Sequence, residues 1–190
     1  MVTEPRTSGL TYEELLEMFP DEDGVRRELI EGDLIVTPSP IPRHQQVVGR
    51  LFVLLFNHAQ KHGGEALMGP LDVLFSDRNV VEPDVLYLLP QNLDKLEERF
   101  VRSAPDLVVE VSSPSTRRFD LGRKKELYER HRVPEYWFVD LVADRVEVYR
   151  LEAGRYGDPT LVERGEALTS PVLPGLQAPV EEILGPPPIG

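Results

Sequence analysis

The sequence predicts a domain of the α/β or α+β class, with a mixed central β-sheet flanked by helices. Two observations predict it. Stretches of helical and strand-like periodicity follow one another in the order helix, strands, helix, strands. In addition, LVVEV at residues 107–111 is a continuous run broken by one acid, as in a strand covered on both faces.

Met1 to Gly9 is polar and reads as a loose arm, without the apolar stretch of a signal peptide. Thr11 and Glu14 have the spacing of a capping box, which starts a short helix running to about Phe19. RRELI and DLIVT, joined around Glu31-Gly32, read as a hairpin. After the proline-rich TPSPIP, residues His44, Val47, Val48, Leu51, Leu54, Leu55 and His58 recur at helical spacing until Gly63-Gly64. Strands are expected at about 65–75, 80–89 and 106–111, with a helical QNLDKLEERF between the last two. A helix from Asp120 to about Arg130 leads into the strands EYWFVD and RVEVYRL, joined by a tight turn at Ala143-Asp144. Short strands and prolines fill the remainder. The chain of 190 residues suits one domain over 1–190, with 1–9 and 185–190 as flexible tails.

Composition removes several classes of function. There is no cysteine, so disulfides, thiolate zinc sites and cysteine nucleophiles are excluded. The best apolar stretch, VVGRLFVLLF, contains Arg50 and falls far short of the roughly 20 residues of a membrane span. A cytoplasmic protein without membrane contact is therefore expected. The net charge of −12 argues against a general nucleic-acid binder, because phosphate contact needs positive charge. Between Arg117 and Arg132, however, seven cations face three acids.

Three charged residues interrupt apolar patterns. Asp84 sits at the start of DVLYLL, Glu110 breaks LVVEV on the side of Val108 and Ser112, and Lys124 falls within the stripe set by Leu121, Leu127 and Tyr128. Lys125 falls off its edge. Ionised groups on buried faces are costly unless paired or metal-bound. Two carboxylates and an ammonium at one place suit Mg²⁺-dependent phosphodiester chemistry, with the backbone carbonyl of Val111 as a third protein ligand. The plainer alternatives are strand-edge acids paired with arginine and a lysine reaching past apolar surface to water.

At these residues the sequence resembles a known family. PDV, VVEVSSPST, Asp120-xxx-Lys124-xxx-Tyr128 and VPEYWFVD, in that order over about Glu28 to Asp140, resemble the putative restriction endonuclease family of the PD-(D/E)xK nuclease superfamily. The resemblance implies a restriction-endonuclease-like core of three antiparallel strands, a helix and a further strand. It implies hydrolysis of DNA phosphodiester bonds with Mg²⁺ or Mn²⁺, Asp84 and Glu110 holding the ion and Lys124 orienting or activating water. Ser112 stands at the superfamily's usual lysine position, and the related family moves that lysine to the following helix, where Lys124 lies. Arg132 stands where a glycine is often found. Glu28 matches an acid near the site in family members and extends the metal shell, or else is a hairpin charge balanced by Arg26 or Arg27.

Further candidates complete the reading. Arg117, Arg118 and Arg123 grip phosphates, or form a solvated helix face. His44, on the inward stripe of the long helix, touches substrate or a metal-bound water, or packs at the helix start. His58 and His62 have the spacing of zinc ligands but no third ligand nearby. Ser112, Ser113 and Ser115 lack a nucleophile elbow and are expected to cap the following helix. Double-strand cleavage commonly uses two copies of such a fold, so a homodimer is expected. The rival reading is a catalytically weak or inactive nuclease-fold module that binds protein or nucleic acid.

Overall fold

The computed structural model describes residues 9–20, 24–112 and 116–187. Ser113, Ser115 and the N-terminal arm before Gly9 lie outside these residues. Helix α1 (Tyr12–Met18) begins on the capping box that its spacing predicts. The Glu14 N–H donates to Thr11 Oγ1 at 3.3 Å, and the Thr11 N–H donates to Glu14 Oε2 at 3.0 Å. The hairpin is also as read: β1 (Arg26–Ile30) and β2 (Asp33–Thr37) pair antiparallel. Their turn places Glu31 at φ 57° and Gly32 at φ 83°, the left-handed conformation that glycine adopts without penalty. Gly9 is not part of a loose arm. Its backbone packs so closely on Gly32 that a Cβ there would lie 2.7 Å from the Gly32 Cα.

Helix α2 (Pro42–His62) opens with proline at its first position and ends at Gly63, burying His44, Val47, Val48, Leu51, Leu55 and His58. Two expected strands each divide. The 65–75 stretch becomes β3 (Glu65–Met68) and β4 (Asp72–Ser76), broken at Gly69-Pro70. The 80–89 stretch becomes β5 (Asn79–Val81) and β6 (Val85–Leu88), broken at Pro83. Proline has no N–H to give a ladder, so each strand stops there and its two halves join different sheets. QNLDKLEERF is not one helix. It divides into a 3₁₀ helix within Pro90–Lys95 and the strand β7 (Phe100–Arg102).

One sheet has five strands in the order β2-β1-β5-β4-β7. The other has seven, with the path β11-β10-β9-β8-β6-β3 and β12 beside β10. Its centre is β8 (Leu107–Val111), buried at every position. β3, β6 and β8 run antiparallel in succession, and β9 (Glu135–Asp140) then pairs parallel to β8 after a helical crossover. That is the three-strand, helix, strand core implied by the resemblance.

The crossover starts earlier than expected, as α3 (Arg117–Phe119), a π-helical turn (Asp120–Lys124) and α4 (Lys125–Arg130). The long strand β10 (Arg145–Glu152) follows β9 through a turn with Asp144 at φ 57°. The short strands β11 (Arg155–Tyr156), β12 (Thr160–Val162), β13 (Ala167–Thr169) and β14 (Gln177–Pro179) follow. A helix not anticipated from sequence, α5 (Val180–Leu184), packs beside α2. Gly185 ends it with an N–H bond to the Glu181 carbonyl.

Opposite faces of the seven-stranded sheet meet different neighbours. Val109 and Val111 pack with Val47, Val48, Leu51 and Leu55 of α2. Val108 packs with Leu127 and Tyr128 of α4 and with Ile30, Val73 and Val81 of the five-stranded sheet. Each such buried aliphatic side chain contributes about 1.5–3 kcal/mol. Glu110 shares the Val108 face, so the packing that holds the layers together also aims its carboxylate at their junction. Among the described residues, no helix is long and apolar enough to cross a membrane.

Candidate active site

Four segments meet where the two sheets join. β1 contributes Arg26 and Glu28, which share a strand face at a spacing of two. The link Glu82-Pro83-Asp84 passes from one sheet to the other and presents Asp84. β8 presents Glu110, and the π-helical turn presents Lys124. In that turn the Lys125 N–H reaches back to the Asp120 carbonyl, five residues earlier. Single π turns are frequent at functional sites. Here the turn buries both Asp120 and Lys124, which are 3% exposed.

The side chains form one connected array. Lys124 Nζ lies 2.7 Å from Glu28 Oε1 and 2.9 Å from Glu110 Oε1. The Tyr128 hydroxyl donates to the same Glu110 oxygen at 2.6 Å. The Glu82 N–H donates to Glu28 Oε1 at 2.8 Å. Arg26 Nη1 donates to Asp84 Oδ1 at 2.8 Å, and the Val111 N–H donates to Asp84 Oδ2 at 2.8 Å. His44 Nε2, from the first turn of α2, stands 3.2 Å from that second oxygen. The array lines a pocket of about 180 Å³ with the Thr37–Ile41 loop at its edge.

Asp84, Glu110 and Lys124 are therefore brought together, with Glu28 and His44 beside them. Asp84 is also paired with an arginine, as the plainer reading of that acid held. Glu28 pairs with Lys124, and its charge also supports that of Arg26, one of the two partners expected for it. Lys125 stands 4.3 Å over the Tyr149 ring, so Lys124 is the lysine that enters the pocket. Val111 contacts Asp84 through its N–H, not the carbonyl expected as a ligand. The other candidates lie outside the pocket. Arg117 donates to Asp140 Oδ2 at 3.1 and 2.8 Å, and Arg123 Nη2 is 2.8 Å from the Ile30 carbonyl and 2.9 Å from Asp33. Arg118 is exposed. The N-cap of the following helix is Thr116 rather than Ser112, and the Ser112 Oγ accepts from the Leu141 N–H at 3.0 Å, tying β8 to the end of β9. His58 and His62 stack on each other at 4.4 Å. Arg132 takes φ 61°, the left-handed conformation that glycine adopts without penalty.

Sequence reasoning passes over Arg26, Asp120 and Tyr128 as members of the array. The Asp120-xxx-Lys124-xxx-Tyr128 spacing carried the signal for two of them, since residues four apart share a helix face.

The electrostatics follow from burial. Burial pushes Glu110 up to about 8; Lys124 opposes the shift, and the neighbouring acids Asp84, Asp120 and Glu28 add to it. Asp120 is raised to about 6 by burial against the pull of Lys124. Burial would also raise Asp84, but hydrogen bonds from His44 and Val111 and the charge of Arg26 prevail and hold it at about 2. Burial disfavours the Lys124 charge, yet Glu110, Glu28 and Asp120 outweigh burial and keep the ammonium protonated. Glu28, Asp84, Glu110 and Asp120 outnumber Arg26 and Lys124 by two charges when all are ionised.

Whether a divalent cation fits can be judged from these groups. Among the described residues, no three His, Asp or Glu side chains stand as a ready ligand set. The chemistry of the donors nevertheless fits. They are hard oxygens, and Glu28 Oε2 is buried without a hydrogen-bond partner. Asp84, Glu110 and Glu28 are the residues that would hold the ion.

Comparison with known proteins agrees with this fold. The family described as Uma2, putative restriction endonuclease, matches residues 12–181. The chain belongs to this family. A similar protein is an uncharacterized protein of Synechocystis sp. (strain ATCC 27184 / PCC 6803 / Kazusa), 28% identical over 144 residues, 74% of this chain and 73% of that protein. In fold, the Uma2-family chain resembles the crystal structure of a putative nuclease belonging to DUF820 from Anabaena variabilis ATCC 29413. The TM-score is 0.76 at 19% identity, covering 92% of this chain and 97% of that one.

Proposed function

We propose that this chain is a divalent-metal-dependent phosphodiesterase of the endonuclease type, acting on DNA. The observation that carries the reading is the placement of Lys124 Nζ within 2.9 Å of both Glu28 and Glu110, in the same pocket as Asp84. Asp84, Glu110 and Glu28 would bind Mg²⁺ or Mn²⁺. A divalent ion held there supplies Lewis acidity at the scissile phosphate and lowers the pKa of water.

The chain's own residues do the rest. Val111 and His44 fix the orientation of Asp84, and Tyr128 does the same for Glu110. Lys124 carries its charge at the bottom of the pocket, where donors aimed at developing negative charge on phosphate oxygens are most effective because water is excluded. Glu110, Glu28 and Asp120 keep that ammonium protonated. Lys124 therefore acts as a donor and a fixed positive charge rather than as a base.

Nicking of supercoiled plasmid DNA tests the reading. Wild type is expected to nick only with Mg²⁺ or Mn²⁺, and Asp84→Ala to lose at least about a hundredfold. Equal rates in the two proteins would remove the assignment; absence of both nicking and divalent binding would favour a non-catalytic binding module. We further propose a homodimer, which sedimentation equilibrium checks.

A further inference from the structure

We propose that Arg26 is a substrate-binding residue of this pocket, whose guanidinium takes a non-bridging oxygen of the scissile phosphate. The inference rests on the nuclease reading above and adds a residue that the sequence patterns do not single out. Among the described residues, Arg26 and Lys124 are the only arginine and lysine side chains lining the pocket. They differ in depth. The Lys124 side chain is 4% exposed and that of Arg26 is 20% exposed, so an anion entering from solvent meets Arg26 first. The arginines read from sequence as phosphate grips are elsewhere: Arg117 and Arg123 are tied to Asp140 and Asp33, and neither lines the pocket.

The guanidinium is also incompletely used. Nη1 donates to Asp84, and Nη2 donates to the Glu82 carbonyl. Nε is buried and has no hydrogen-bond partner. The nearby Glu82 Oε2, at 3.8 Å, is too far to accept from it. A buried N–H donor on a planar fork, beside the acid expected to bind the ion, is suited to a phosphate oxygen. Asp84 loses its need for Arg26 once another cation neutralises it, and the guanidinium then becomes available to the anion.

A purely structural role makes the opposite prediction about metal binding, which allows a test without turnover. Mn²⁺ affinity is measured by calorimetry. Binding of dimethyl phosphate, a minimal phosphodiester, is followed on the Mn²⁺-loaded protein by paramagnetic broadening of its ³¹P resonance. Arg26→Gln is expected to bind Mn²⁺ as tightly as wild type or more tightly, because a competitor for Asp84 is gone. It is expected to bind dimethyl phosphate about tenfold or more weakly. Arg26→Lys, which keeps the charge and guards against misfolding of the glutamine variant, is expected to fall between. Loss of Mn²⁺ affinity with unchanged phosphate affinity would overturn the proposal and leave Arg26 as a brace for Asp84. Wild type that binds Mn²⁺ but no dimethyl phosphate would also overturn it. Wild type that binds no Mn²⁺ would remove the nuclease reading and this inference together.

Discussion

Replacing Lys124 by methionine keeps the length and packing of the side chain and removes the ammonium between Glu28 and Glu110. Breaking a buried ion pair by deleting one partner typically costs about 3–5 kcal/mol, because the remaining charge is buried without compensation. No allowance for solvent screening is needed, since the Lys124 and Glu28 side chains are 4% and 1% exposed. In a domain of this size each kcal/mol moves the melting temperature by about 2–4 °C, so a loss of about 10 °C is expected at pH 8. The loss should shrink toward pH 5. There Glu110, already up at about 8, and Asp120, at about 6, carry protons and need the ammonium less. Millimolar Mg²⁺ should restore much of the stability of Lys124→Met, and more than it adds to wild type, without restoring nicking. Circular dichroism melts of both proteins at pH 5 and pH 8, with and without Mg²⁺, make the measurement. A Lys124→Met melting point within about 2 °C of wild type at pH 8, or a gap unchanged at pH 5, would refute the reasoning.

Other outcomes follow from the same geometry. Glu110 has a folded-state pKa of about 8 against an ordinary value of 4.5, so the folded protein keeps a proton that the unfolded chain releases. Its contribution to stability is full below pH 4.5 and is lost as pH rises through 8. Melts of Glu110→Gln against wild type should therefore favour the variant increasingly from pH 5 to pH 8; a pH-independent difference would contradict this. Tyr128→Phe keeps the ring beside Phe75 and Tyr136 but removes the 2.6 Å bond to Glu110, and should cost about 2 kcal/mol by urea denaturation. A neutral result would mean that the phenol does not hold the carboxylate. Gly32→Ala would place a Cβ 2.6 Å from the Gly9 Cα in a backbone at φ 83°, and should destabilise by about 1–3 kcal/mol, measured the same way.

The central residues were legible because each breaks a pattern that has a physical reason. Glu110 interrupts a strand buried on both faces, Asp84 precedes another such strand, and Lys124 lies on the stripe of Leu127 and Tyr128. A charge on a buried face announces a partner but does not name it. Lys124 and Glu28 are 96 positions apart in the chain, and no local periodicity links a hairpin to a helix in a different layer. Arg26 was hidden because RRELI has the charge density of an exposed hairpin. Tyr128 was hidden because a tyrosine on an inward stripe reads as core, and Asp120 because an acid near a helix start reads as complementing the helix dipole. The divided strands could have been read from Pro70 and Pro83, which cannot donate to a ladder. That their halves join two sheets depends on pairings between distant segments. It is this division that carries Asp84 across the sheet junction and makes the pocket.

The central claim is that Asp84, Glu110 and Lys124 serve one divalent ion, and diffraction from crystals soaked in Mn²⁺ tests it most directly. The account predicts an anomalous peak about 2 Å from carboxylate oxygens of both Asp84 and Glu110, with Lys124 Nζ within a few ångströms of it. Protein that binds Mn²⁺ in solution but shows its peak away from these two acids would contradict the account.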